Sequence, residues 1–460
     1  MGQSAQKPER PVPADLRARL HAVLDRWIEE HVPAVLDVND PPSLRALSAH
    51  VLDTRASLVS EVLAELVREV VGKFSDLRRT ECPGCARTLW RKRVEPKEIS
   101  TLHGSFVLNR PYFYCEGCRR GHSPVDEALE LARELHQFDV QEAIARLAAR
   151  MPYAEAVTTF TELTGVKVRE HCSHQTVQRL EEAAAPERVL PSREEIAQRI
   201  EAVEKRGRRK PVLVVTADGA MTPVRPPGGR KKKRGPGIWR EVKGFRIYLV
   251  DARQRIVSLA SWHQIADGAH LGEVLQAAAA RIPTERVRIA LLGDGASWLW
   301  TAMTEAFPTG REVLDYYHCT QHLWTVANLQ YAEQPEAARQ WVEATISLLA
   351  EDTVDEVLAE LTQMLPRTHA AAKEIDKLIA YLTDHRHRFG YDACKRAGLP
   401  IGSGAIESAN KAIVHTRMKR PGAWWLEANG NTMLRLRCAL YNGTFCAVFN
   451  SYAAATRRAA

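Results

Sequence analysis

Four cysteines, three carboxylates and two basic stretches carry most of the chemistry legible in this chain. Cys82 with Cys85 and Cys115 with Cys118 form two C-x-x-C pairs separated by residues 86–114, with turn residues Pro83-Gly84 and Glu116-Gly117 inside them. Four thiolates are soft, tetrahedral ligands, and a closed four-sulfur set leaves no position for a reactive water, so the expected occupant is one structural zinc ion. Asp218 and Asp294 each follow an apolar run and precede a glycine, in Ala217-Asp218-Gly219 and Gly293-Asp294-Gly295. Such a placement projects a carboxylate from the C-terminal edge of a sheet and lets backbone and ligand approach at the glycine. Taken singly, each Asp-Gly also reads as a turn. Two of them in one α/β stretch offer the hard oxygen ligands that magnesium takes. Glu407 follows the glycines of Gly402-Ser403-Gly404, which turn the chain into a helix. A helix-stabilising role fits it as well, because a first-turn glutamate complements the macrodipole and Lys411 lies at i+4.

The segment after Asp218 is crowded with cations: Arg225, Arg230, Lys231, Lys232, Lys233, Arg234, Arg240 and Lys243, interrupted by prolines and glycines that forbid a regular helix. Beside an acidic metal site it suits contact with a phosphate backbone; a solvated charge run is the alternative. A second group, His415, Arg417, Lys419 and Arg420, precedes Trp424-Trp425. Cations next to aromatics can track phosphates and stack bases, while core packing explains the tryptophans equally well. Asp315, His318, Cys319 and His322 share one face if their segment is helical. No matching ligand pair belongs to them, so an independent metal site is not expected there.

These residues need elements to hold them. Apolar spacing predicts helices from Asp15 to about Glu30 and from Ser43 to about Phe74, then short strands at Ser105–Leu108 and Tyr112–Tyr114 around the cysteines. Helical character returns after Pro124, through ALELARELHQFDVQEAIARLAARM, and the following stretch reads as helix, Thr164-Gly165 turn, helix. Three strands are expected next: Val212–Val215 ending at Asp218, residues 244–252, and Val287–Leu292 ending at Asp294. Residues 323–397 read as helices throughout. The predicted organisation is a tail (1–13), a helical N-terminal region (14–78), a zinc ribbon (79–127), a helical region with a helix-turn-helix (128–205), an α/β core in two parts (206–322 and 398–460) and an all-α insertion between them (323–397).

At 460 residues the chain is too long for one core, and 45% hydrophobic and 26% charged residues are ordinary for folded proteins. A net charge of +8 favours a polyanionic partner. The nine cysteines, paired as C-x-x-C where paired at all, suit metal binding in a reducing compartment rather than a disulfide framework. The N-terminus carries no secretory pattern and no apolar run is long enough to span a bilayer, so a cytoplasmic location without membrane partners is expected.

Taken in order, the cysteine pairs, ADGA (217–220), WREVKGFRIY (239–248), GDGASW (293–298), DYYH (315–318) and IGSGAIESANK (401–411) resemble the bacterial insertion-sequence transposases of the DDE type, and within them the Kra-type family. The resemblance spans roughly residues 80–445. It implies a multidomain α/β fold with a ribonuclease H-like core, in which Asp218, Asp294 and Glu407 hold two magnesium ions, or manganese in their place, with Asp315 and His318 in support. The implied reaction is metal-assisted DNA cleavage and strand transfer, without a covalent intermediate. The implied partners are the element's terminal inverted repeats, target DNA and a second copy of the chain, in a bacterial, nucleoid-associated setting. Two other functions share these residues: a metal-dependent nuclease that cuts without joining, and a DNA-binding regulator descended from a transposase.

Overall fold

A computed structural model describes residues 12–36, 40–207, 209–226 and 237–458, and shows a mixed α/β, multidomain protein that divides into two compact units. The first unit comprises Met1–Arg179 and Phe449–Ala460. It opens with helices α1 (Ala14–His31) and α2 (Leu44–Ser75). Ser43 caps α2 by accepting the Ala46 N–H, and Arg19 of α1 pairs with Glu65 and Glu69 of α2. An antiparallel sheet follows, in the order β1 (Arg79–Glu81), β2 (Thr88–Thr101), β3 (Gly104–Cys115), β4 (Arg120–His122). The long β2–β3 hairpin closes at Gly104, whose φ of +115° favours glycine and whose missing side chain lets Ser60 of α2 lie against it. Val71, Ile99, Leu108 and Val125 form the core between α2 and this sheet.

Helix α3 (Pro124–Ala128) is short, and the expected continuous helix after Pro124 does not form. Residues 129–137 instead run irregularly because Gln137 substitutes for helical hydrogen bonds: its side chain accepts from Ala132 N–H and donates to the carbonyls of Glu134 and Leu135. Three helices complete the unit's linear order, α4 (Phe138–Ala148), α5 (Tyr153–Thr164) and α6 (Glu170–Arg179), with Gly165 in the left-handed conformation ending α5.

The second unit, Leu180–Val448, begins with α7 (Pro186–Val189) and α8 (Arg193–Glu204), the latter started by a Ser192/Glu195 capping box. Its five-stranded sheet has the order β7-β6-β5-β8-β9, with β5 (Val212–Val224), β6 (Ile238–Val250), β7 (Ile256–Gln264), β8 (Arg288–Gly293) and β9 (Arg311–Leu314). Strands β5, β6 and β7 are antiparallel; β8 and β9 run parallel to β5. Two strands go beyond expectation: β9 has four residues, too few for a periodic signal, and β7 has a mixed sequence. Helices α9 (Gly268–Ala279) and α10 (Ser297–Ala306) follow β7 and β8.

After β9 come five helices, α11 (Tyr316–Gln330), α12 (Pro335–Ala350), α13 (Val354–Gln363), α14 (His369–Asp384) and α15 (Tyr391–Arg396), packed through buried residues such as Leu323, Val342, Leu361 and Leu378. The chain returns to the sheet with α16 (Gly404–Asn410), a π-helical turn over Lys411–His415 and α17 (Thr416–Met418). Arg437 donates to the carbonyls of Ala412 and Ile413 within that turn, where wider winding disturbs the helical ladder. Arg437 belongs to α18 (Glu427–Asn442), which packs on β7, and α19 (Phe445–Arg458) passes into the first unit from Phe449 onward. Among the described residues no helix is long and apolar enough to cross a membrane.

Candidate metal centre and carboxylate site

In the first unit the two C-x-x-C turns meet. The Sγ atoms of Cys82, Cys85, Cys115 and Cys118 all lie within 4.8 Å of one another, with Cys82 to Cys118 at 3.8 Å and Cys85 to Cys115 at 3.6 Å. A tetrahedron of sulfurs about 2.3 Å from a central zinc has edges of about 3.8 Å, so the cluster has the size a metal such as zinc requires. The backbone supplies part of the charge compensation. The N–H groups of Gly84 and Cys85 point at Cys82 and bring its thiol down to about 7, whereas Cys118, hydrogen-bonded among the other three thiols, is pushed up to about 12. Leu89 and Phe113 pack with Cys82 and Cys115 on the strand side, while Cys85 stays exposed.

In the second unit the carboxylates expected to act together come from three distant stretches. β5 does not end at Asp218 as expected: it continues to Val224, paired with β6 throughout, while its parallel pairing with β8 stops at Thr216 opposite Leu292. Asp218 follows Thr216 by two residues within β5, and Asp294 follows Leu292 by two residues, just after β8 ends at Gly293, so both stand past the end of the parallel pairing. Glu407 lies on α16, which packs against β5 and β6.

Burial, and next the charge of Asp294, push the Asp218 carboxyl up to about 6; Glu407 adds to the rise, and hydrogen bonds from Gly219 N–H and Asn410 oppose it. The three carboxylates therefore share one electrostatic field. Among the described residues, however, the four cysteines are the metal-ligating set whose donor atoms all fall within 4.8 Å, so the carboxylates are spread more openly. Gly219 N–H donates to Asp218 Oδ1 at 2.7 Å, Asn410 Nδ2 to Oδ2 at 2.7 Å, and Ala296 N–H to Asp294 Oδ1 at 3.1 Å.

Asp315 occupies the point where the helical segment leaves the sheet. Its Oδ1 accepts from His318 N–H at 2.7 Å, capping α11, and its Oδ2 accepts from Ser403 N–H. With Asp315 N–H on Gly293 O (2.8 Å) and Tyr316 N–H on Ile401 O (2.9 Å), it ties the departing and returning chain together next to Asp294. His318 meets His322 edge-on at 5.0 Å, and His322 lies tilted against Tyr381 at 4.4 Å, whose hydroxyl donates to Asp294 O at 3.1 Å. Gly295, at φ +117°, has the ring edges of Tyr381 and His385 where a Cβ would sit.

The cations named from sequence fare differently from one another. Arg230, Lys231, Lys232, Lys233 and Arg234 lie outside the described residues. Arg240 and Arg420 are exposed; Arg240 lies 3.7 Å from Glu427. Lys243 is largely covered, paired with Glu241 and 4.0 Å over the Trp298 ring. Lys419 is half-buried. Arg417 is a correction: only 4% exposed, with its guanidinium 4.9 Å from the Trp425 ring, it is an interior residue, not a surface contact. The tryptophans divide, since Trp425 is buried and donates to Met418 O, and Trp424 is exposed.

Sequence reasoning passed over Asn410 and His263. Asn410 was visible as the residue one helical turn beyond Glu407, but nothing local says that its amide reaches Asp218. His263 lies in β7, fully buried, its imidazole held neutral by a burial that pulls it down to about 4.

A comparison with curated proteins finds no match. The model of the Uncharacterised protein family (UPF0236) matches residues 39–449, most of the chain, and the protein belongs to that family.

Proposed function

We propose that this protein is a DNA transposase that binds the terminal inverted repeats of an insertion sequence and catalyses DNA cleavage and strand transfer. The observation that carries the reading is the shared field of Asp218, Asp294 and Glu407 at one end of the sheet. Their donor set is all oxygen, and burial, followed by the charges of Asp294 and Glu407, pushes Asp218 up to about 6, a condition that a hard divalent cation relieves. Two further features support it. Three antiparallel strands continued by two parallel ones, in the order β7-β6-β5-β8-β9, are the arrangement expected of a ribonuclease H-like core. The helices α11–α15 occupy the interval between Asp294 and Glu407 as an insertion does.

The three carboxylates would hold two magnesium ions, or manganese in their place, which when bound activate the attacking oxygen and stabilise the leaving one. Gly219 N–H and Asn410 each use one lone pair of the Asp218 oxygens, which fixes the carboxylate plane and leaves a second lone pair on each oxygen. Asp315 holds the strand end of Asp294 beside the turn that leads to Glu407. In the first unit, a zinc ribbon around the four cysteines and a helix-turn-helix of α5 and α6 would read the element's ends. The polar face of α6 and its approach, Arg169, His171 and Gln175, is exposed as that role requires. A second copy of the chain would bring two ends together, in the bacterial cytoplasm at the nucleoid.

The test is a cleavage and strand-transfer assay in magnesium or manganese on DNA carrying the element's ends, with native protein and Asp294→Ala. Joined products that the substitution reduces by about a thousandfold or more are expected. Cutting without joining would make the protein a nuclease, and binding with neither a DNA-binding regulator.

A further inference from the structure

Three residues on three adjacent strands stand in one transverse row. His263 of β7 pairs with Gly244 of β6, and Gly244 pairs with Asp218 of β5. Cross-strand partners share a face, so His263 and Asp218 look the same way from strands about 10 Å apart. Gly244 makes room for the ring of His263: a Cβ there would meet the imidazole at 2.3 Å. Asn410, on α16, bridges from that ring to Asp218. Its Nδ2 lies 2.7 Å from Asp218 Oδ2 and its Oδ1 lies 2.9 Å from His263 Nε2.

The polarity of this bridge follows from chemistry. A carboxylate only accepts, so the amide NH2 of Asn410 faces Asp218 and its oxygen faces His263. Nε2 of His263 must then carry the proton, which leaves Nδ1 bare; Nδ1 is buried and has no hydrogen-bond partner. Asn410 is itself buried, and α16 is held from its other end by Arg246, whose Nη1 donates to Ala405 O at 2.7 Å. Because Glu407 lies on the same short helix, one turn before Asn410, the contact that orients Asp218 also sets the height of Glu407 above the sheet.

We propose that Gly244, His263 and Asn410 form a positioning bridge, in which the sheet fixes an imidazole, the imidazole fixes an amide, and the amide sets Asp218 and, through α16, Glu407 for a divalent cation. The inference rests on the metal-binding reading of those carboxylates. None of the three bridge residues is a ligand or touches a reacting atom; they act through Asp218 and Glu407, as outer partners do at metal sites.

The experiment uses the full-length protein. Manganese binding is followed by electron paramagnetic resonance in the native chain, Asn410→Ala, His263→Ala and His263→Gln, and side-chain nitrogen NMR reads the tautomer of His263 in the native protein. Asn410→Ala and His263→Ala are expected to weaken manganese binding about 10- to 100-fold. His263→Gln, whose amide can still donate to Asn410, should recover most of the loss. An Nε2–H tautomer for His263 is expected. Native manganese affinity in Asn410→Ala, no recovery in His263→Gln relative to His263→Ala, or an Nδ1–H tautomer would each overturn the bridge, the last without any variant having to fold. A native chain that neither binds manganese nor cuts DNA would overturn the functional reading instead, while the tautomer still reports on the bridge.

Discussion

The four-cysteine cluster and the carboxylate site solve the problem of gathering ligands in opposite ways. The cysteines come from two turns beside one hairpin, so their approach is guaranteed once β2 pairs with β3 and β3 with β4. Their sulfurs close to within 4.8 Å and their backbone N–H groups supply part of the compensation. The carboxylates come from β5, the residue after β8 and α16, and they stay more open, with Asp218 raised to about 6 by burial first and by the charge of Asp294 next. A closed soft site serves stability; on the proposed reading, an open hard site would keep coordination positions available for reaction. The carboxylate site accordingly depends on neighbours such as Asn410 and Asp315 to hold its geometry.

The largest effect that can break this contrast is loss of zinc. Cys82→Ser should lower zinc content measured by metal analysis and unfold β1–β4, since a structural zinc contributes on the order of 10 kcal/mol in small domains. A mild chelator should strip added manganese from the carboxylates and leave the zinc in place. Equal sensitivity of the two sites would erase the distinction.

A smaller effect tests the raised Asp218 carboxyl. The folded protein holds Asp218 above its ordinary value of 3.8, so ionisation there opposes folding. The cost is absent below about pH 4, grows between about pH 4 and 6, and is full above. Asp218→Asn removes it. The substitution should raise the melting temperature of the metal-free protein at pH 8 by an amount worth up to about 3 kcal/mol, and the gain should vanish at pH 4. A gain independent of pH would mean that the carboxylate is not strained by its surroundings.

The smallest effect separates the two neighbours. Asp294 raises Asp218 more than Glu407 does, so Asp294→Asn should bring the Asp218 titration, followed by carboxyl-carbon NMR, further down than Glu407→Gln. The reverse order would place Glu407, not Asp294, as the nearer charge.

Much was legible without the fold. The cysteine pairs, the strand-then-Asp-Gly placements and the helical run of residues 323–397 rest on local patterns, whose physics is turn geometry and side-chain periodicity, and the cysteine cluster and helices α11–α15 follow them. What failed locally failed where distant partners decide. Gln137 broke an expected helix by bonding back to its own loop, and β5 ran past Asp218 because β6 pairs with its whole length. Arg417 carried a surface charge pattern in sequence, yet Trp425 draws it inside. By itself the sequence determined which side chains offer soft sulfur donors and which offer hard oxygen donors, because ligand softness belongs to the side chain. Only the tertiary structure decided that the charge of Asp294 acts on Asp218, that Gly244 opens room for the imidazole of His263, and that Asn410 joins His263 to Asp218, because those contacts exist only once strands and a helix distant in sequence are packed together.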